Sequence, residues 1–213
     1  MSEAWLERWE EGRIGWHESD GNRGLKANWA TTGKNVLVPL AGKAADLKWL
    51  AEGGNRVTGV ELSPIAAAGF FEDHELAYRV DDSGALPVYT GRDLPVRIVC
   101  GDYFDFDEVG FDAHFDRGAL VALPPELRPR YAAHTLARLE PDALQCVITV
   151  EYDATLAGGP PFVVEADELL SHWPALELRD SYDESASMPP KFRDAGVTSL
   201  VEKVWMSPGP ALR

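Results

Sequence analysis

Four stations sit where apolar stretches of this 213-residue chain run out: one is a glycine turn, and three have the residue types to do chemistry. The first is the turn Pro39-Leu40-Ala41-Gly42, which closes the run "KNVLVPL". The second is Glu61, at the end of "RVTGVEL". The third is Asp102 with Tyr103, after "VRIVCG", and the fourth is Asp116-Arg117 in "FDAHFDRGAL". Glu61 lies 19 positions after Gly42. An acidic residue at about that distance from a glycine turn accepts hydrogen bonds from ribose hydroxyls and disfavours a 2′-phosphate. Asp102 can take a ligand amine, such as that of an adenine ring, or it can be a turn-forming aspartate after Gly101. Arg117 can hold an anion, with Asp116 orienting it or a bridging water. The plain alternative is a structural Asp-Arg pair at a strand end.

The turn limits what the ligand can be. A Walker loop needs G-x-x-x-x-G-K-[ST], but residue 37 is Leu and residue 44 is Ala. A dinucleotide site needs several glycines so that backbone can approach a pyrophosphate, which argues against a nicotinamide-dependent oxidoreductase. Here Pro39, Leu40 and Ala41 fill the turn and Gly42 alone is glycine. A bulkier turn suits a nucleoside without phosphates. S-adenosylmethionine is one: adenine, ribose and a charged amino-acid tail.

The elements that would position these stations alternate. "KNVLVPL" is a continuous apolar run, as in a strand covered on both faces. "KAADLKWLAE" is helical and ends at a Gly53-Gly54 cap. "RVTGVEL" is a second strand, and Ser63-Pro64 caps a helix reaching about residue 76. Residues 78–95 carry Gly84, Pro87, Gly91 and Pro95 and read as a surface excursion. "VRIVCGDYF" and "FDAHFDRGAL" are strands three and four, and a helix runs from Pro124-Pro125 to about residue 139. "ALQCVITVEY" is a fifth strand, "GGPPF" a rigid loop and "EADELLSHW" a helix. "ALELRDSY" and "TSLVEKVWM" alternate more strongly and read as an antiparallel edge pair. The expectation is an α/β fold: a doubly wound, mostly parallel seven-stranded sheet with an antiparallel edge hairpin. In such a sheet a ligand binds beyond the carboxyl ends of the strands, where all four stations lie.

Length fits one domain over 1–213, and the net charge of −15 disfavours nucleic acid or an anionic membrane as partner. No apolar run approaches membrane-spanning length, and the acidic N-terminus lacks a signal-peptide core. Cys100 and Cys146 sit in apolar runs and read as buried free thiols of a cytoplasmic protein. His74, His114, His134 and His172 are dispersed without metal-ligand spacing, so no metal is expected. His17 reads as a packing or capping residue more than a general base. No long exposed apolar stripe stands out, so a monomer is expected.

Several segments together resemble the thiopurine S-methyltransferase family, in its bacterial members. They are "WLERW" with "GWH" near the start, "VPLAGKAADLKWLAEGGNRVTGVELS", "GDYFDF", "FDRGALVALPPELRPRYAAH", "GPPF" and "GVTSLVEKVW". They span the chain in order from about Trp5 to Met206. The family commonly has Cys where this chain has Ala41. The resemblance implies a class I, Rossmann-like methyltransferase using S-adenosylmethionine and yielding S-adenosylhomocysteine. It places Trp5, Trp9, Leu40, Gly42, Glu61, Asp102, Tyr103 and Arg117 at the cofactor, with Glu61 on the ribose and Asp102 and Tyr103 against the adenine. Residues 1–30 would form a tryptophan-bearing lid over it. The acceptor would be a small aromatic or heterocyclic thiol, met by Trp16, Arg117 and Arg193, with Asp116 and Arg117 as the catalytic pair. "SYDESASMPPKFRDAG", where acceptor contacts are expected and where Lys191 also lies, matches only loosely. Two other readings stand beside this one: the same fold methylating selenium or tellurium compounds or a halide, and a nucleoside-binding module without turnover.

Overall fold

The structure is a computed structural model and describes residues 2–13 and 18–208. In chain order its elements are α1 (Ser2–Glu10), α2 (Arg23–Asn28), β1 (Asn35–Pro39), α3 (Ala45–Glu52), β2 (Arg56–Glu61) and α4 (Pro64–Asp73). Next come β3 (Tyr78–Asp81), β4 (Val88–Gly91), β5 (Val96–Cys100), β6 (Phe111–Asp116), α5 (Arg128–Leu136) and β7 (Leu139–Glu151). The last are α6 (Ala166–His172), β8 (Glu177–Asp183), α7 (Pro190–Asp194) and β9 (Val201–Met206). The fold is mixed α/β, as expected, but the described residues form nine strands where seven were expected. The two extra strands, β3 and β4, come from the 78–95 excursion. The chain divides into two compact units, one within 1–22 and 31–111, the other within 23–30 and 112–213.

In the first unit the strands run in the order β3-β4-β5-β2-β1. β1 and β2 pair in parallel from Asn35↔Arg56 to Pro39↔Val60, and β2 and β5 from Val57↔Val96 to Glu61↔Cys100. β4 then adds to β5 antiparallel, and β3 to β4. Leu37 of β1, Ile98 of β5 and Leu47 and Leu50 of α3 are fully buried, each worth about 2 kcal/mol in removal from water. The parallel register aligns the carboxyl ends of β1, β2 and β5. A Cβ on Gly59 would stand 3.0 Å from the Cβ of Ala41, so glycine there lets the loop after β1 close down on β2.

In the second unit the order is β6-β7-β9-β8. β9 pairs antiparallel with both β7 and β8, so the expected antiparallel pair is present with β8 at the end of the run. α2 belongs here: the Arg23 guanidinium lies 4.1 Å over the Tyr182 ring and pairs with Glu184 at 3.2 Å. The 1–30 segment is therefore shared between units, with α1 in one and α2 in the other.

Candidate active site

β1 is an apolar strand that ends abruptly, and its exit is strained. Leu40 takes left-handed backbone at φ 47° and Gly42 at φ 55°. Glycine adopts that region freely, whereas a residue with a Cβ loses about 1 kcal/mol or more. Ala41 N donates to Val60 O at 2.9 Å, and Ala44 N to Ala41 O at 3.2 Å. Gly42 N donates to Glu61 Oε2 at 2.8 Å. The N–H groups of Ala41, Gly42 and Ala44 in this turn are thus already bonded within the protein and are not offered to a phosphate.

Glu61 closes β2 and is 6% exposed. Its Oε2 takes the Gly42 N–H, and its Oε1 takes the Ser63 N–H at 2.8 Å. Ser63 in turn caps α4, its side chain accepting from Ala66 N at 3.3 Å. Burial raises the pKa of Glu61, and the N–H groups of Ser63 and Gly42 oppose that. Each carboxylate oxygen still has acceptor capacity, which suits a vicinal diol. Two such donors would also stabilise the anion that burial penalises.

Beyond β5, Asp102 accepts the Phe104 N–H at 2.9 Å on Oδ1, which caps a short 3-10 turn. The turn-forming role is real, and it accounts for one of the two oxygens. Tyr103 is 5% exposed, its ring stacked on Phe106 at 6.4 Å. Cys100 lies beside Glu61 in register; burial and then the Glu61 charge push its thiol up to about 11. Both cysteines are buried, and neither is in a disulfide.

α1 brings Trp9 onto the first station: a Cβ on Gly42 would lie 3.4 Å from Trp9 Cζ2. Trp9 is 8% exposed, while Trp5 is half-buried under the Arg8 guanidinium at 5.0 Å. Trp16 and His17 lie outside the described residues. Behind this loop Asp46 Oδ1 accepts the Asn22 N–H at 2.6 Å, a contact the sequence reading missed. Its signal was Gly21, which is left-handed and whose Cβ would strike Asp46 Oδ1 at 2.8 Å.

In the second unit β6 ends on Asp116, which is fully buried. Its Oδ1 accepts from Ala119 N at 3.0 Å, and its Oδ2 from Leu120 N at 3.2 Å and from the Tyr131 hydroxyl at 2.7 Å. Burial pushes it up to about 6 against those donors. Its oxygens are enclosed and occupied, and in this way Asp116 holds the turn that carries Arg117, the residue it was expected to orient. Arg117 is half-buried. Arg193 is exposed on α7, whereas Lys191 of the same helix donates to the carbonyls of Gly158 and Pro160. Arg128, 1% exposed, is a second residue the sequence reading missed. It donates to Leu123 O at 3.0 Å, Val163 O at 3.3 Å and Glu168 at 2.8 Å. Among the described residues no group of three or more His, Cys, Asp or Glu is placed to hold a metal ion. No described helix is long and apolar enough to cross a membrane.

A parallel β1, β2, β5 core, a loop whose Gly42 N–H is taken by Glu61, and an acidic residue ending β2 are arranged as in an α/β fold of the class I methyltransferase type. The comparisons agree. A methyltransferase from Burkholderia thailandensis, solved with 1,6-didemethyltoxoflavin and S-adenosylhomocysteine, superposes with a TM-score of 0.61 at 21% identity, covering 97% of this chain and 86% of that one. TehB from Haemophilus influenzae superposes with a TM-score of 0.63 at 12% identity, over 88% of this chain and 61% of that one. The family model for thiopurine S-methyltransferase matches residues 1–209. A thiopurine S-methyltransferase of Pseudomonas putida is 39% identical, covering 94% of this chain and 96% of its own. One of Bordetella petrii is 41% identical, over 93% and 94%. The chain belongs to the thiopurine S-methyltransferase family.

Proposed function

We propose that the chain is an S-adenosylmethionine-dependent methyltransferase that acts on the sulfur of small aromatic or heterocyclic thiols, with 1–213 working as one methyltransferase domain. The observation that carries the cofactor reading is the double use of Glu61. Its carboxylate consumes the Gly42 N–H that a phosphate would need and keeps acceptor capacity for a ribose diol. The residues present therefore fit a nucleoside sulfonium and do not fit a dinucleotide. Family membership and the relatives' printed activity support the thiol as acceptor.

The bound cofactor supplies a methyl group already activated by its sulfonium charge. The chain's own residues then bind, align and exclude water. Glu61 holds the ribose hydroxyls, and Asp102 offers its remaining oxygen to the adenine amine. Trp9, seated on Gly42, covers the loop and keeps water from the cofactor. Arg117 holds the acceptor as a thiolate, and Asp116 fixes the turn that carries it. An aromatic thiol is already largely ionised near neutral pH, so no general base is required. We also assign Trp16 and Arg193 to the acceptor, Arg193 as a second cation beside it. The two buried cysteines, kept as thiols, support a reducing, cytoplasmic setting. We take the protein to be a monomer, which sedimentation equilibrium would check.

Titration calorimetry with S-adenosylhomocysteine tests the cofactor reading. Wild type should bind, and Glu61→Ala should bind about 100-fold more weakly, since two hydrogen bonds to a charged group are lost. No binding to wild type would overturn it. A panel of aromatic thiols against aliphatic thiols and metalloid oxyanions then tests the acceptor.

A further inference from the structure

The segment joining β3 to β4 carries Leu86, a side chain that the reaction as described above leaves unused. Leu86 is half-buried and rests on the backbone of Gly101. A Cβ on Gly101 would stand 2.6 Å from Leu86 Cδ2 and 3.3 Å from its Cδ1. The placement is rigid: Pro87 O accepts the Cys100 N–H at 2.8 Å, and β4 continues on β5 from Val88↔Val99. Behind the hairpin Phe71, Tyr78 and Tyr89 stack in sequence, with ring centroids 4.9 and 6.0 Å apart. Gly101 N also donates to Glu61 O at 2.9 Å. Leu86 therefore sits on the backbone strip that carries Glu61 at one end and Asp102 at the other.

A purine ring bound there has two apolar faces as well as a polar edge. Glu61 and Asp102 can hold hydroxyls and an amine but offer no apolar surface. Tyr103 has turned its ring into the core beside Phe106, with 5% of the residue left exposed. Leu86 is an apolar side chain at the same edge that remains partly exposed. We propose that Leu86 is a purine-facing residue of the cofactor pocket and that the β3–β4 hairpin exists to deliver it. The inference rests on the cofactor reading above. It also gives Gly101 a reason: any side chain there would displace Leu86 from the strip.

The test is an NMR spectrum of the protein with methyl-labelled leucine, saturated with S-adenosylhomocysteine, with Leu86 assigned from the Leu86→Met spectrum. A nuclear Overhauser contact between the Leu86 methyls and adenine H2 or H8 is expected. Leu86→Ala should raise the Kd for S-adenosylhomocysteine about tenfold. The factor should be the same for 5′-deoxy-5′-methylthioadenosine, which keeps purine and ribose but lacks the amino-acid tail. Leu86→Met should restore binding to within about threefold. Absence of the contact in a saturated wild-type complex overturns the proposal, whatever Leu86→Ala does. So does an unchanged Kd in Leu86→Ala. Failure of wild type to bind S-adenosylhomocysteine would sink the cofactor reading first, and this inference with it.

Discussion

At Gly42 the backbone is left-handed and the Trp9 ring is in van der Waals reach of where a Cβ would stand. Gly42→Ala should therefore cost about 1 kcal/mol in backbone strain and also press on Trp9. Urea unfolding reads the first effect and calorimetry with S-adenosylhomocysteine the second; a change in neither would remove the argument for this glycine. Asp116 poses a different question, because its enclosed oxygens make it a positioning residue. In Asp116→Asn one oxygen becomes an amide that faces backbone or hydroxyl donors. The expected loss is about 2 kcal/mol of stability, with kcat falling less than about tenfold well below the melting temperature. A loss of kcat above 100-fold at unchanged KM would show Asp116 touching the reacting atoms. The sequence made Asp116 visible as a polar residue at a strand end. It did not reveal the role, because the partners sit at positions 119, 120 and 131 and converge only in the fold.

Elements with strong local signals were legible and weak ones were not. The apolar run around Leu37 and the Ser63-Pro64 cap gave β1 and the start of α4 directly, since burial on both faces and capping are local properties. α4 stops at Asp73 and not near residue 76 because Glu75 turns left-handed at φ 54° and Leu76 N bonds back to Phe71 O. The helix expected from Pro124 to about residue 139 begins as a 3-10 turn at Pro125–Leu127 and is regular only over α5. Pro129 has no N–H to bond back to Pro125 O, so a single regular helix cannot run through this point from Pro124. β3 and β4 were missed because strands of four residues carry too little alternation to outweigh Gly84, Pro87 and Gly91. Glu61 and Gly42 were legible as a pair from spacing, but their mutual hydrogen bond was not. Arg128 gave no signal, since its partners lie near residues 123, 163 and 168. Arg128→Met keeps the stem but strips the donors from two carbonyls and Glu168. It should cost about 3 kcal/mol and free the loop it braces. Faster amide exchange at Phe162, whose N–H bonds to Val121 O at 2.6 Å, is the expected local readout. Unchanged exchange there would mean that the loop is held without Arg128.

Over the whole molecule, two buried groups set opposing responses to acid. His114 is fully buried, stacked on Trp173 at 6.3 Å, and neither ring nitrogen has a hydrogen-bond partner among the described residues. Burial pushes its pKa down to about 3. The unfolded chain binds a proton there between about pH 6.5 and pH 3 while the native state does not, so His114 costs stability as pH falls through that window. Asp116 works the other way. Raised to about 6, it holds a proton in the native state that the unfolded chain has released above about pH 4, so it adds stability as pH falls. Glu61, also raised by burial, acts in the same direction as Asp116. Between about pH 6 and pH 4 His114 and Asp116 largely cancel. The wider His114 window leaves a net loss of about 2 kcal/mol from this pair between neutral pH and pH 3. His114→Phe keeps an aromatic ring against Trp173 and removes two unsatisfied nitrogens, so at pH 7 it should be neutral or stabilising. It should also unmask the carboxylates: urea midpoints measured from pH 7.5 down to pH 4.5 should rise for the variant where those of wild type stay nearly flat. If both proteins lose stability in parallel over that range, the acid response belongs to surface charge relief and not to this buried pair.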